Sequence, residues 1–213
     1  MRKPIYKIDK FTDLKDMLKN TEEKFSDRPA YLFKTDKEGV FKEIKYKEFI
    51  NEINFLGTRL INIGLKNKRI AVISENRYEW EVSYLAVAAG TGVIVPLDKA
   101  LPNNEIESLI SRSEVEAVIY SESYNEIMDK LRKENSTNLK YYISMDKEEN
   151  EGNLYSFKKL VEDGKKLVEK GNKEFIDAKI NNQDMGIMLF TSGTTAVSKA
   201  VMLSHKNIVS NLM

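Results

Sequence analysis

The 213-residue chain has no cysteine, a single histidine (His205), a single tryptophan (Trp80) and four prolines. Without thiols there is no disulfide framework and no zinc–thiolate site. One-signed charge is also missing. The 34 basic and 33 acidic residues are mixed along the chain and leave a formal net charge of +1. No basic stripe marks a nucleic-acid partner, and Lys158-Lys159 reads as a solvated helix face. The start, MRKPIYKIDKF, lacks the apolar segment of a secretion signal. The most apolar stretch, Tyr84 to Leu97, is broken by Gly90, Gly92 and Pro96 and is too short to span a bilayer. A chain of this length buries enough apolar surface to fold without staples. A soluble, cytoplasmic protein is expected.

What is present alternates. Leu14, Leu18 and Phe25 give residues 12–25 one apolar helical face, with Thr12 or Asp13 as cap. AYLFK and VFKEIK, separated by turn residues, predict a hairpin. Phe49, Ile53, Leu56 and Leu60 recur at helical spacing, with Gly64 placed to end that helix. Then RIAVIS, GVIVPL, EAVIYS and YYISM read as strands, separated by helices near 78–89, 104–111 and 124–133. Strands apolar throughout, alternating with helices, predict an α/β fold with a doubly wound, mostly parallel sheet. A polar loop over 146–153 precedes a helix carrying Leu154, Phe157, Val161 and Val168, weakened in its middle by Gly164. A polar connector runs to Asp184. MGIMLFT and KAVML are strands, and Ser204 caps a last helix. The expected division is a helix–hairpin–helix lead-in over 12–64, the alternating sheet over 68–145 and a strand–loop–strand unit over 184–205.

The loop between those last two strands concentrates Thr191, Ser192, Gly193, Thr194 and Thr195, and Lys199 follows. Gly193 permits backbone N–H groups to converge on one point, the hydroxyls add donors, and the lysine adds charge. Donors to a charged oxygen contribute about 1.5–3 kcal/mol each. Such a loop suits the oxygens of a polyphosphate. It is not a Walker A loop, a GxGxxG fingerprint or a GxSxG elbow. Ser, Thr and Gly also form ordinary turns, so residue chemistry leaves both a hairpin turn and a phosphate loop open.

The stretch from Thr191 to His205 resembles the phosphate-loop signature TSGTTGxPKGVMLSH of the AMP-forming adenylate synthetases: acyl-CoA synthetases, luciferases and peptide-synthetase adenylation domains. Eleven of fifteen positions match and one is free; Ala196, Ser198 and Ala200 replace glycine, proline and glycine. The segment Ala71 to Leu97, with its Asn-Arg-x-Glu-Trp turn, is similar to the family's earlier strand–helix–strand segment. Tyr46 to Gly64 fits the helix before it, and PLDKALPNNEI leans toward the long-chain fatty acid–CoA ligase branch. The resemblance implies that a carboxylate attacks Mg-ATP to give an acyl-adenylate and pyrophosphate, and that coenzyme A then displaces AMP. It assigns Thr191, Ser192, Gly193, Thr194, Thr195 and Lys199 to the β- and γ-phosphates. The family's Tyr-Gly-x-Thr-Glu magnesium segment, ribose-binding aspartate and C-terminal lysine find no match. The expectation is therefore a truncated N-terminal domain, cloned as a piece or encoded by a truncated gene. It carries no catalytic residue and no metal ligand of its own, is inactive alone, and lacks the partner half of its parent.

Two other readings stay open. The chain can be a non-catalytic nucleotide- or partner-binding module, or the parent can adenylate an amino or aryl acid. Smaller candidates have plain explanations. Ser204-His205 reads as a capped helix start rather than a nucleophile–base pair. Trp80, Tyr78 and Tyr84 read as helix-packing residues rather than a stacking platform. Glu79 and Glu81 fall on different helix faces and form no carboxylate dyad.

Overall fold

The structure, a computed structural model, describes residues 9–34, 39–191 and 198–212. Helix α1 (Leu14–Phe25) begins where the Asp13 side chain accepts from Asp16 N, which fills an otherwise open donor of the first turn. Strands β1 (Pro29–Lys34) and β2 (Phe41–Lys45) form an antiparallel hairpin. Its rings anchor it: Tyr31 lies 5.0 Å from Phe49 and 5.1 Å from Tyr78, both edge-on. Helix α2 (Tyr46–Leu60) runs into a π-helical turn, Ile61–Leu65, in which Gly64 takes φ 96°, a conformation that favours glycine.

Five parallel strands and one antiparallel pair follow. Strands β3 (Arg69–Ile73), β4 (Val93–Pro96), β5 (Ala117–Tyr120), β6 (Tyr141–Ser144), β7 (Leu154–Ser156), β8 (Met185–Thr191) and β9 (Lys199–Ser204) make one seven-stranded sheet in the order β7-β6-β5-β3-β4-β8-β9. All neighbours are parallel except β8 and β9. The α/β, mostly parallel expectation holds. Side chains alternate between two cores, as a period of two requires. Ile70 and Val72 of β3, Ile94 of β4, Ala117 and Ile119 of β5, and Ile187 of β8 enter one core. Ala71, Ile73, Val95, Val118, Tyr120 and Met188 enter the other. The first core lies under α1, α2, α3 (Tyr78–Ala86) and α6 (Phe157–Glu169); the second lies under α4 (Asn103–Ser113) and α5 (Asn125–Glu134). Ile53, Leu56, Leu60 and Leu65 are fully buried, each burial contributing about 1.5–3 kcal/mol.

Two expectations are corrected. Leu154 belongs to β7, a short strand beside β6, because Tyr142 to Ser144 present a free edge for it to pair with. The helix starts only at Phe157, capped by the Ser156 hydroxyl. Phe25 is 38% exposed and contributes little to the α1 apolar face; it packs at the surface beside Tyr46 and Arg28.

Lys15 sits on the buried side of α1. Its ammonium donates to the Phe175 carbonyl and lies 4.4 Å from the centre of the Phe175 ring. Burial, and then the charge of Lys19, lower its pKa from 10.5 to about 8, against the opposing pull of Asp13 and Asp177. The folded chain thus releases this proton before the unfolded chain does. The penalty is full below pH 8 and gone above 10.5, so stability from this group rises with pH across that window. Wild type should gain about 2–3 kcal/mol relative to Lys15→Met between pH 8 and 10.5, read from paired denaturant titrations. A difference that stays flat with pH would refute the buried-ammonium account.

Candidate functional site: the β8–β9 hairpin

Strand β8 is apolar on both faces and joins the sheet through Ile187, which pairs with Ile94 of β4. Strand β9 folds back on it in the register Phe190↔Ala200 and Thr191↔Lys199. The outer strand is solvated: Lys199, Ala200, Val201 and Met202 are exposed. Thr191 and Lys199 close the described part of the hairpin, opposite each other and both exposed. Side chains directly opposite in an antiparallel pair lie on one face, with Cβ atoms about 4.5–5.5 Å apart. A hydroxyl and an ammonium therefore share one side at the end of the hairpin that leads into residues 192–197. Among the described residues Lys199 has no carboxylate within ion-pair distance, so its charge is available to an anion. Ser192, Gly193, Thr194, Thr195 and Ala196 lie outside the described residues. Of the two other departures from the signature, Ser198 has its carbonyl bonded by Arg112 and Ala200 is solvent-facing.

The base of the hairpin is fixed through α7 (His205–Ser210). The Ser204 hydroxyl accepts from Asn207 N at 3.3 Å, and the Asn207 carboxamide oxygen accepts from Ser204 N at 2.9 Å, a reciprocal cap. His205 is 6% exposed, and its ring lies against Gly186, where a Cβ would come within 2.8 Å of Nε2. Burial lowers its pKa. The pair is a cap and a packing residue, as its sequence suggested, because the serine is committed to the helix start.

The carboxyl ends of β3, β5 and β6 form a second polar centre at the point where strand order reverses, the usual place for a crevice. Arg77 pairs with Glu79 at 2.7 Å, Asp146 at 2.7 Å and Glu75 at 3.6 Å. Ser121 Oγ donates to Glu75 at 2.7 Å, and Glu122 N donates to Asp146 at 2.8 Å. The Ser121 hydrogen bond, above all, holds the Glu75 pKa below its ordinary value, and the hydrogen bond to Glu79 does most to raise that of Arg77. These partners are mutually satisfied, which makes the group a tie between three loops rather than an acid or base poised to react. Glu81 accepts from the Tyr31 hydroxyl, so Glu79 and Glu81 indeed serve different neighbours. Trp80 stacks on Tyr84 at 5.2 Å, and both pack on the core. A cavity of about 790 Å3 between the β1–β2 hairpin and α6 is lined by Phe33, Ile44, Tyr78, Met145 and Phe157 among others. Neither Thr191 nor Lys199 reaches it. No helix among the described residues is long and apolar enough to cross a membrane.

Sequence reasoning missed Arg112, which touches both arms of the hairpin. Its local pattern, a basic residue in a last helical turn, carries no signal of a contact so far along the chain.

Comparison with known proteins agrees with this architecture. A family model described as AMP-binding enzyme matches residues 18–213. Fatty acyl-CoA synthetase A of Dictyostelium discoideum is 32% identical over 185 residues, covering 83% of this chain and 27% of that protein. Long-chain-fatty-acid–CoA ligase 5 of Rattus norvegicus is 30% identical over 182 residues, covering 81% and 26%. A long-chain-fatty-acid-CoA ligase from Archaeoglobus fulgidus shares the fold with a TM-score of 0.74 at 19% identity, over 98% of this chain and 41% of that one. The chain spans about a quarter of the length of the curated relatives it matches. On the extent of the family match and the fold it shares, this chain belongs to the AMP-binding enzyme family.

Proposed function

We propose that the chain is the phosphate-holding part of an ATP-dependent, AMP-forming acyl-CoA ligase whose acid substrate is a long-chain fatty acid. The observation that carries this reading is the pairing of Thr191 with an uncompensated Lys199 where β8 and β9 lead into residues 192–197. The names of the relatives from Dictyostelium discoideum and Rattus norvegicus support the acyl class. In the proposed reaction a carboxylate oxygen attacks the α-phosphorus of ATP and pyrophosphate leaves. The thiol of coenzyme A then attacks the acyl carbon and AMP leaves. Thr191, Ser192, Gly193, Thr194, Thr195 and Lys199 are assigned to the β- and γ-phosphates, where fixed donors offset the charge that builds on the leaving pyrophosphate. Magnesium would neutralise the same oxygens. Among the described residues no group of three or more His, Asp and Glu side chains is placed to hold a metal ion. The chain alone is proposed to bind without turnover.

Calorimetric titration with tripolyphosphate tests the reading, since that probe requires no adenine pocket. Lys199→Ala should weaken binding by about tenfold to a hundredfold, the loss of one charge-assisted contact. Equal affinity in the two proteins, or no binding by the wild-type chain, would sink the assignment.

A further inference from the structure

Arg112 lies in the last turn of helix α4, beside a well-anchored helix end. Ser113 is fully buried, its hydroxyl donates to Leu109 O at 2.6 Å, and its carbonyl accepts from Arg69 Nη1 of β3 at 2.9 Å. Glu114 then closes the helix in the left-handed region at φ 53°. From this platform Arg112 reaches across to the hairpin. Nη2 donates to the carbonyl oxygen of Ser198 at 2.6 Å. The guanidinium carbon lies over the Phe190 ring, 5.7 Å from its centre. Phe190 precedes Thr191 on one arm, and Ser198 precedes Lys199 on the other. One side chain therefore grips both arms beside the Thr191–Lys199 pair. Arginine suits this task because its planar head can lie on a ring and donate from its edge at once, which an ammonium cannot. Among the described residues Arg112 has no carboxylate within ion-pair distance, so its charge stays uncompensated next to that of Lys199.

We propose that Arg112 is a positioning residue for the phosphate-holding hairpin, fixing the spacing and tilt of its two arms. This rests on the function proposed above. It also explains how the chain tolerates Ser198 where the signature carries proline. A proline ring fixes φ near −65°, whereas serine leaves it free. The hydrogen bond from Arg112 to the Ser198 carbonyl supplies the missing restraint from outside. A backbone held in one conformation binds without a further ordering cost.

The test compares tripolyphosphate affinity and thermal midpoint in the wild-type chain, Arg112→Ala, Arg112→Ala with Ser198→Pro, and Lys199→Ala. Arg112→Ala should raise the dissociation constant about fivefold to tenfold, the scale of one lost hydrogen bond with its ordering. The midpoint should fall by no more than about 2–4 °C, because Arg112 is exposed and loses one hydrogen bond. Adding Ser198→Pro should restore most of the affinity, which lost packing or lost charge would not do. Unchanged affinity in Arg112→Ala, with Lys199→Ala weakened, overturns the inference and leaves the phosphate-loop reading standing. Weakening that proline does not rescue, or a midpoint lowered beyond that shift, also overturns it, by assigning Arg112 to charge or to stability. No effect of Lys199→Ala removes the reading on which the inference stands.

Discussion

Gly164→Ala is expected to lower the unfolding free energy by about 2–4 kcal/mol, although helix propensity alone predicts a gain of about 1 kcal/mol. Gly164 lies mid-way along α6, where the helix crosses α2. A Cβ at this position would fall 1.9 Å from the Phe55 carbonyl oxygen and 2.5 Å from its carbon. Both obstacles are backbone, so no rotamer change relieves them and the two helices must separate. Separation would uncover Ile53, Leu56 and Leu160, which are now fully buried. Urea denaturation reads the sign directly. A more stable Gly164→Ala protein would mean that α2 and α6 do not meet this closely, and the sequence-based view of Gly164 as a weak point would then suffice.

Phe175→Ala should cost about 3–5 kcal/mol, the range for emptying a well-packed aromatic site. The ring is 1% exposed and lies directly on Gly57 of α2, where a Cβ would meet it at 2.4 Å. The ring also carries the Lys15 ammonium, whose burial the ring and the Phe175 carbonyl together make tolerable. Truncation leaves a cavity and strips a buried charge of one of its two contacts. Phe175→Leu fills part of the space and should cost distinctly less. A loss under about 1 kcal/mol for Phe175→Ala would show that the 170–184 segment is not anchored there. That anchoring bears on the site, because this segment delivers the chain to Met185, the first residue of β8.

Both predictions concern residues whose roles were hidden in the sequence. Gly164 reads as a helix defect and Phe175 as a lone aromatic in a polar connector. The partners that define them are more than a hundred positions away. Arg112 is the same case within the candidate site: it bonds to a residue 86 positions further on, and its own neighbours in the chain give no hint of it. Leu154 was misread for a related reason. Three residues are too few for a periodicity, and only the edge of β6 makes them a strand.

The sequence by itself determined the alternation of elements, the helix start at Ser204 and, to within Thr12 or Asp13, that of the first helix, the two-faced burial of the strands, and the Thr-Ser-Gly-Thr-Thr and lysine signature. Each depends on residues within a few positions of one another, through φ/ψ preference, capping and the periods of helix and strand. Tertiary structure decided the strand order, the glycine contacts between helices, the burial of Lys15 against Phe175 and the grip of Arg112 on both hairpin arms. Those arise only when distant segments meet, since packing energy depends on what fills the space beside a residue and not on what precedes it in the chain.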